Sequence, residues 1–339
     1  MLDCVPGLAE LEESVPGDMY EYVNPNADRG VLGMGLRSGL MGMENVATSQ
    51  ILIDGAGLER ITRLPALFGA KTIVTIGTDF PGYGRGRALS DLRLVEVPVE
   101  PACRRVDPDA VAAAVHGLPR PLVFITMPFT NPGQSKTDLD LARAALAANE
   151  TAIVVIDAAY RRAACRAEDY VAFALENPRV LYLNVAAKDL GAAGARLSWM
   201  IGSPEILAHV SRDMLPYPVC AHAARFVSRL VRAPRLIEQI HLTQREAGDV
   251  LRQWLRERPL RSLQSEAPWI LLDLGERCNE LVAQLKMDHD IFVQNQTGLV
   301  RGFDGWVRIS AGVPGDSERI VSALDQFLDT GRLTPNSLN

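Results

Sequence analysis

The feature that most constrains the fold of this chain is a series of short, nearly continuous runs of apolar and β-branched residues. Residues 72–76, 122–126 and 153–156 are examples, and turn-forming or acidic residues follow each run closely. Continuous runs, as opposed to alternating apolar and polar residues, indicate strands that are buried on both faces. The chain is therefore predicted to be an α/β protein, with a mostly parallel sheet between helical layers.

Helical patterns separate these runs. Helices are predicted over residues 58–68 and 138–149, with Asp138 as the N-cap of the second. Pro108 and Gly117 bracket a shorter helix, because proline is favoured in the first helical turn and glycine just past the end. Further strands are predicted over residues 50–53, 92–99, 181–185 and 197–201. This alternation supports the α/β assignment up to about residue 216.

The pattern changes beyond that point. Helical segments at 221–231 and 237–257 precede strand-like segments at 269–274, 291–294 and 306–310, and a last helix covers 317–330. We interpret residues 217–339 as connecting helices and a small α+β C-terminal domain, and residues 49–216 as the large domain. Residues 1–48 are rich in Gly, Pro, Asn and Met and have poor periodicity, so an N-terminal arm without a core of its own is predicted.

Composition narrows the class of protein. The chain has 339 residues, 47% of them hydrophobic and 22% charged, and its net charge of −6 gives no reason to expect nucleic-acid binding. No apolar run reaches the length of a membrane span, and no secretory signal is recognisable. The five cysteines are widely spaced and include no CxxC pair. Free thiols in a reducing cytoplasm are therefore expected, without a disulfide or metal framework.

Three residues suggest chemistry: Asp157, Lys188 and Arg196. Asp157 ends the run at 153–156, so it should lie at the carboxyl end of a buried strand, where open α/β sheets bind ligands. Lys188 is one of four lysines, and a lysine can form an imine with an aldehyde and later act as an amine base. A pyridoxal phosphate (PLP) enzyme needs an acid to pair with the pyridinium nitrogen, a lysine to form a Schiff base and an arginine to bind the phosphate. The alternatives are a helix N-cap for Asp157 and a solvated surface position for Lys188.

Several motifs follow one another in a fixed order. They are Asn131-Pro132, Asp157-x-x-Tyr160, Lys188-x7-Arg196 and the sequence Val-Arg-Ile-Ser at 307–310. With these motifs the chain resembles the fold type I PLP aminotransferases (class I/II), and most closely their histidinol-phosphate aminotransferase branch, from about residue 20 to about residue 330. The resemblance implies a three-layer α/β/α large domain, a small C-terminal domain and a homodimer. It also implies pyridoxal 5'-phosphate as cofactor, and an amino donor and a 2-oxo acid as substrates.

The resemblance further implies roles for the residues that match its motifs. Lys188 would form the internal aldimine and move the proton that leads to the quinonoid, while Asp157 pairs with the ring nitrogen. Tyr160 and Asn131 would contact the ring 3-oxygen, and Tyr83 would stack on the ring face. A packed aromatic side chain is the alternative for Tyr160, and simple turn formation is the alternative for Asn131.

The cofactor phosphate and the substrate anion have their own implied ligands. A glycine-containing turn between a strand and a helix suits the phosphate, because exposed N–H groups and the helix dipole bind anions. Arg308 would bind the substrate carboxylate or phosphate as a bidentate fork, with a surface salt bridge as the alternative. Tyr22, or in its place Tyr20, would reach the cofactor phosphate of the neighbouring subunit. The implied phosphate ligands within one subunit are Gly55, Ala56, Gly57 and Arg196.

Two features depart from the family pattern. Val185 and Ala187 stand where the family carries hydroxyl residues that bind the cofactor phosphate, so two hydrogen bonds of roughly 1.5–3 kcal/mol each are missing. The family's N-terminal substrate segment is also absent. We therefore expect a specialised aminotransferase that acts on an amino acid or amine bearing an anionic group. The alternatives are a PLP-dependent decarboxylase, cyclase or oxidase of a related amino acid, and a degenerate PLP-binding protein without transaminase activity.

Overall fold

The computed structural model describes residues 7, 22–28, 30–76, 80–88, 91–98, 106–127, 138–162, 170–264, 267–299 and 302–329. These residues form two β-sheets, one of seven strands and one of four. Helices pack against both sheets. Within the described part of the chain, every helix is too short or too polar to span a lipid bilayer.

The larger sheet carries most of the strands that the sequence predicts. Its strands are Ile51–Asp54 (β1), Thr72–Ile76 (β2), Arg93–Val97 (β3), Pro121–Thr126 (β4), Ile153–Asp157 (β5), Val180–Val185 (β6) and Ser198–Ile201 (β7). Their order across the sheet is β1-β7-β6-β5-β4-β2-β3. Neighbours from β6 to β3 run parallel, whereas β7 runs antiparallel to both of its neighbours. The prediction of a mostly parallel sheet is confirmed.

Helices cover both faces of this sheet, as the apolar runs predict. Val154 and Ile156 of β5 enter one buried cluster, whereas Val155 between them enters another. Alternate side chains of a strand point to opposite faces, so the sheet is buried on both sides. The helices that precede the first strand of the smaller sheet in the sequence are Val31–Glu44, Gly57–Leu67, Pro108–Val115, Asp138–Ala148, Tyr170–Glu176, Ala186–Asp189, Pro204–Ser211, Ala221–Leu230 and Pro234–Arg256.

Strand direction brings several loops to one edge of the larger sheet. Strand β1 is antiparallel to β7, which is antiparallel to β6, so β1 runs in the same direction as β6. The last residues of β4 and β5, Thr126 and Asp157, are direct neighbours in the pairing. The carboxyl ends of β1, β4, β5 and β6 therefore lie along the same edge, which is where parallel sheets bind ligands.

The smaller sheet is antiparallel and has a core of its own. Its strands are Ser262–Gln264 (β8), Trp269–Asp273 (β9), Gln294–Asn295 (β10) and Trp306–Ser310 (β11), in the order β10-β11-β9-β8. The helices Cys278–His289 and Pro314–Phe327 bury residues such as Leu281 and Leu324 against it. Leu251 and Trp254, near the end of the long helix Pro234–Arg256, join the same cluster.

Several local elements differ from the sequence analysis. It did not identify the helix Val31–Glu44 within the predicted arm, nor the helical turn Ala186–Asp189 that carries Lys188. The strand predicted at 291–294 is reduced to Gln294–Asn295. The sequence analysis also did not identify the helices Tyr170–Glu176, Pro204–Ser211 and Cys278–His289, nor the strand Ser262–Gln264.

The helix Val31–Glu44 forms in spite of its glycines, which lower helix propensity. A Cβ atom on Gly39 would lie 2.3 Å from Val231 Cγ2, and one on Gly33 would lie 2.5 Å from the Asn24 carbonyl oxygen. These glycines therefore permit close packing against the helix Ala221–Leu230 and the preceding turn. Leu36 and Leu40 are fully buried, so tertiary packing stabilises a helix that its local sequence does not favour.

Candidate active site

A cavity of about 520 Å³ lies at the carboxyl edge of the larger sheet. The ends of β1, β4, β5 and β6 form its floor, and β10 and β11 of the smaller sheet contribute one wall. Its lining includes Ala56, Gly57, Asp157, Tyr160, Lys188, Arg196 and Arg308. The structure therefore brings together, around one space, seven of the residues to which the sequence assigns a role.

Asp157 is a buried carboxylate at the floor of this cavity. Its Oδ2 accepts a hydrogen bond from the Tyr83 hydroxyl at 2.8 Å, and its Oδ1 accepts one from the Ala159 N–H at 3.1 Å. Burial raises the pKa of Asp157, and these two hydrogen bonds oppose that rise. No described cationic side chain contributes to its titration. A buried acid that lacks a countercharge and faces a cavity is suited to a cationic ligand.

Tyr83 does not lie where the sequence analysis places it. Its side chain is only 1% exposed and is absent from the cavity lining, and its ring stacks on Phe124 with centroids 4.5 Å apart. Its hydroxyl contacts Asp157 and Thr126. Phe80, three residues earlier, lines the cavity and packs edge-on against Tyr83. Phe80 therefore offers its aromatic ring to the cavity in place of Tyr83, while the Tyr83 hydroxyl donates a hydrogen bond to the Asp157 carboxylate.

Lys188 is held on a helical turn that begins directly after β6. Its side chain is exposed to the cavity, and its Nζ atom lies 5.7 Å from the centroid of the Tyr160 ring. The Gln244 side chain donates a hydrogen bond to the Lys188 carbonyl at 3.3 Å. The next residue, Asp189, is buried. The turn therefore presents the lysine to the cavity while it anchors the neighbouring aspartate in the interior.

Asp189 belongs to a buried polar cluster behind the lysine turn. Its carboxylate lies 3.1 Å from Arg162 Nε, and its backbone carbonyl is 2.6 Å from His241 Nε2. Burial raises the pKa of Asp189 to about 7, although the Arg162 charge opposes the rise. Burial likewise lowers the pKa of His241 to about 4. The cluster therefore holds buried ionisable groups, shielded from water, next to Lys188.

Glu44 connects the N-terminal helix to this cluster. Its fully buried carboxylate accepts a hydrogen bond from Trp199 Nε1 at 3.0 Å and lies 3.4 Å from Arg161 Nη1 and 3.2 Å from Arg162 Nη2. Arg161 also donates to the Tyr182 hydroxyl at 3.1 Å. The sequence analysis gave Glu44 no role, since a lone acid near the end of a helix has no recognisable pattern.

A helix N-terminus also lines the cavity. The helix Gly57–Leu67 has Ala56 as its N-cap, without a side-chain cap. Within the described residues, the N–H groups of Gly57 and Leu58 have no hydrogen-bond partner. A Cβ atom on Gly57 would lie 2.6 Å from Val185 Cγ1, so this close approach requires glycine. Free N–H groups at a helix start form an anion site.

Arg196 supplies a positive charge at the same cavity, from a left-handed backbone conformation with φ 48°. Val185 and Ala187 line the cavity and offer no side-chain donor. The Ser198 hydroxyl donates to the Gly55 carbonyl at 2.6 Å, so it is engaged in the turn itself. Gly55 stays outside the lining. An anion here would therefore rely on backbone N–H groups and Arg196.

The smaller sheet provides the remaining wall. Arg308 of β11 lies opposite Gln294 of β10, and both line the cavity. The Arg308 Cζ atom is 4.1 Å from the centroid of the Trp269 ring. Trp269 packs edge-on against Tyr160, with centroids 4.6 Å apart. Tyr160 thus lines the cavity and also packs against an aromatic residue.

Other predicted residues lie apart from the cavity. Tyr22 is 81% exposed and its ring contacts that of Tyr217, with centroids 4.9 Å apart. Asn131 and Tyr20 lie outside the described residues. Lining residues that the sequence analysis did not assign include Phe80, Thr126 and Gln294. Their only sequence signal is position, since each lies near the end of a strand or between a strand and a turn.

The residues around the cavity fit pyridoxal 5'-phosphate. Asp157 is a buried acid without a cationic partner among the described residues, which suits a protonated ring nitrogen. Lys188 offers an amine to the cavity, and Phe80 offers an aromatic surface. The N-terminus at Gly57, with Arg196, suits the phosphate. Val185 and Ala187 provide no hydroxyl donors, but the other groups that would bind the cofactor are present around the cavity.

Comparison with known proteins gives a consistent result. The family described as aminotransferase class I and II matches residues 49–325. An aromatic amino acid aminotransferase from Thermobifida fusca is 27% identical over 341 residues, covering 98% of this chain and 87% of that protein. A histidinol-phosphate aminotransferase from Xanthomonas euvesicatoria is 27% identical over 308 residues, covering 86% and 82%. The crystal structure of histidinol-phosphate aminotransferase from Sinorhizobium meliloti in complex with pyridoxal 5'-phosphate superimposes with a TM-score of 0.82 at 20% identity, covering 96% and 88%.

Proposed function

Because the chain belongs to the class I and II aminotransferases, which are PLP-dependent enzymes, we propose that the cavity at the edge of the larger sheet is its active site. One observation carries this proposal. A buried acid, a lysine on the turn after the next strand, an uncapped helix N-terminus and an arginine of the second sheet all line one space. These groups come from distant parts of the sequence, and each matches one chemical feature of the cofactor or of an anionic amino donor.

The cofactor, when bound, supplies an aldehyde that condenses with amines and a pyridinium ring that draws electrons from the substrate Cα. Asp157 would keep the ring nitrogen protonated, because a buried carboxylate is stabilised in its charged form by an adjacent cation. Lys188 would take the proton from the substrate Cα and return it during the transfer of the amino group. Backbone N–H groups at Gly57 and Leu58, with Arg196, would hold the phosphate.

The proposed substrate is an amino acid or amine with an anionic group, and Arg308 would bind that group. A guanidinium group donates two parallel hydrogen bonds to either a carboxylate or a phosphate. The relatives named above act on aromatic amino acids and on histidinol phosphate, and this chain has the arginine that either kind of donor would need. Arg308→Ala should lower kcat/KM, and the corresponding activation free energy should rise by on the order of 2–5 kcal/mol, the range for breaking a buried charge pair.

We further propose a cytoplasmic homodimer, with the large domain at 49–216 and the small domain within 217–339. Tyr22 and Tyr217 support the dimer, because they form an exposed aromatic pair with Leu215 nearby in sequence, also exposed. A second subunit would cover these side chains and place a tyrosine near the neighbouring site. Light scattering of the purified protein tests this, and a monomer with full activity would contradict it.

Reductive trapping tests the active-site assignment. Borohydride attaches the cofactor to whichever lysine it is bound to, and peptide mass spectrometry then identifies that lysine. We expect the modification at Lys188 and its loss in Lys188→Ala. Lys286→Ala is the matched control, because Lys286 is also exposed and lies 5.8 Å from the Phe292 ring, much as Lys188 lies 5.7 Å from Tyr160. Modification of another lysine in wild type would refute the assignment.

A panel of amino donors with a 2-oxo acid then defines the reaction. Mass spectrometry of the products distinguishes an oxo product, which indicates transamination, from an amine that has lost its carboxyl group. We expect the oxo product, together with an amino acid formed from the 2-oxo acid. Carbon dioxide release without amino transfer would overturn the proposal of transamination, while it would leave the cofactor assignment intact.

A further inference from the structure

Four side chains form an unbroken series of contacts along one wall of the cavity. Lys188 Nζ lies 5.7 Å from the centroid of the Tyr160 ring. The Tyr160 ring meets Trp269 edge-on, with centroids 4.6 Å apart and planes at 75°. Arg308 Cζ lies 4.1 Å from the Trp269 centroid. We call this series the Lys188–Arg308 stack, and it connects the larger sheet to the smaller one.

Strand pairing fixes the part of the stack that belongs to the smaller sheet. Strands β9 and β11 are antiparallel, with Trp269 opposite Ser310 and Leu271 opposite Arg308. Trp269 and Arg308 are therefore diagonal neighbours on the same face, and long or aromatic side chains bridge that separation. A one-residue shift of register between β9 and β11 would place these two side chains on opposite faces of the sheet, so the observed pairing itself holds the guanidinium beside the indole.

The indole of Trp269 is an unusual choice for this position. Its side chain is 1% exposed, and its N–H has no acceptor among the described residues. The indole N–H groups of Trp199 and Trp254, by contrast, each donate to a carboxylate. A buried hydrogen-bond donor without an acceptor is unfavourable, and a phenylalanine at position 269 would bring no such donor. What the indole adds is a wide ring between Tyr160 and Arg308, shielded from water, where attraction between a cation and a ring is strongest.

We propose that Trp269 is a positioning residue that sets the distance between Arg308 and Lys188, and thereby selects amino donors by the spacing between their amine and their anionic group. This inference rests on the proposed function, in which Arg308 binds the anionic group and Lys188 moves the proton. Tyr160 lies in the turn that directly follows strand β5 of the larger sheet, so its contact with Trp269 sets how closely the two sheets approach at the site. A donor with an additional methylene between its two groups places its reacting carbon away from Lys188.

The test compares amino donors that differ only in this spacing. The best α-amino acid donor from the panel is paired with its β-amino homologue, and the ratio of their kcat/KM values is measured. We expect Trp269→Leu to lower this ratio at least about tenfold, since it removes the ring. Trp269→Phe keeps a ring and should hold the ratio within about threefold of wild type. A general loss of stability would lower both kcat/KM values together and leave the ratio unchanged.

Trp254→Leu is the matched control. Trp254 also carries an arginine close to its ring, Arg258 at 4.7 Å, but it lies outside the cavity lining. We expect this variant to keep the wild-type ratio. If Trp269→Leu does not fold, Tyr160→Leu breaks the same stack from the larger sheet and should lower the ratio in the same way.

The Arg308→Ala variant distinguishes the binding of the substrate anion by Arg308 from the positioning role of Trp269. If Arg308→Ala leaves kcat/KM unchanged, the anion is bound elsewhere, and the proposed substrate anchoring is wrong. If Arg308→Ala lowers kcat/KM but the Trp269→Leu and Tyr160→Leu variants keep the wild-type ratio, the anchoring holds and the positioning role of Trp269 is refuted.

Discussion

Replacing Glu44 should destabilise the protein strongly, although Glu44 lies outside the cavity lining. In Glu44→Ala the Trp199 indole N–H loses its acceptor, and Arg161 and Arg162 lose a buried countercharge. Breaking a buried ion pair costs about 3–5 kcal/mol, and an unsatisfied buried donor costs about 1–3 kcal/mol. Water reaches both guanidinium groups in part, since the arginine side chains are 21% and 23% exposed. Together these effects would cost about 4–8 kcal/mol, and the partial exposure of both arginines lowers that cost, so we expect a loss of about 3–5 kcal/mol in the free energy of unfolding.

Urea denaturation of the cofactor-free protein measures this loss. Fluorescence and circular dichroism should be followed together, because a chain of this size can unfold in more than one step. Glu44→Gln keeps an acceptor for Trp199 and should lose about half as much as Glu44→Ala. Asp140→Asn is the control, because Asp140 forms a 2.9 Å ion pair with Arg143 in which both side chains are more than half exposed. It should lose less than about 1 kcal/mol. If Glu44→Ala loses no more than this control, the cluster does not stabilise the fold.

Three further predictions concern the site. Burial raises the pKa of Asp189 to about 7, so the folded state retains a proton that the unfolded chain releases above about pH 4. As the pH rises from about 4 to about 7, this group therefore lowers the free energy of unfolding by about 1.4 kcal/mol per pH unit. Urea denaturation should show that Asp189→Asn lacks this contribution. Asp157→Asn should lower kcat by about 100-fold or more, yet leave the thermal stability of the cofactor-free protein unchanged or higher, because burial disfavours the ionised carboxylate. Gly57→Ala should weaken cofactor binding at least about tenfold in a fluorescence titration, and adding Val185→Ala, which removes the contacting methyl group, should restore part of it.

The large sheet was predictable because its strands are buried on both faces. Residues 72–76 match the strand Thr72–Ile76, and the acid that ends the run at 153–156 is the last residue of β5. Burial on both sides selects apolar residues at every position, so the pattern marks both the strand and its end. The same reasoning placed Asp157 at the edge of the sheet where ligands bind, since an acid that ends a buried strand lies at its carboxyl end.

The less predictable features depend on contacts between distant residues. The sequence shows aromatic residues at 80 and 83, but only the structure shows that Phe80 faces the cavity while Tyr83 supports Asp157. Likewise, Trp269 is recognisable as a strand residue, whereas its contact with Arg308 follows from the register of two strands. The sequence of the helix Val31–Glu44 is typical of an irregular arm, and one of its glycines, Gly39, is explained only by packing against Val231, more than a hundred residues away.

The cluster around Glu44 also bears on the order in which the chain folds. Its contacts join residues that are 117 and 155 positions apart in the sequence. Closing loops of this length costs chain entropy before any contact is gained, and folds rich in such contacts form slowly. Arg162 of this cluster also contacts Asp189, the neighbour of Lys188 in the sequence, so we expect the turn Ala186–Asp189 to reach its final place only when both loops have closed. We therefore expect the competence to take up the cofactor to be acquired late in folding, after the sheet is in place.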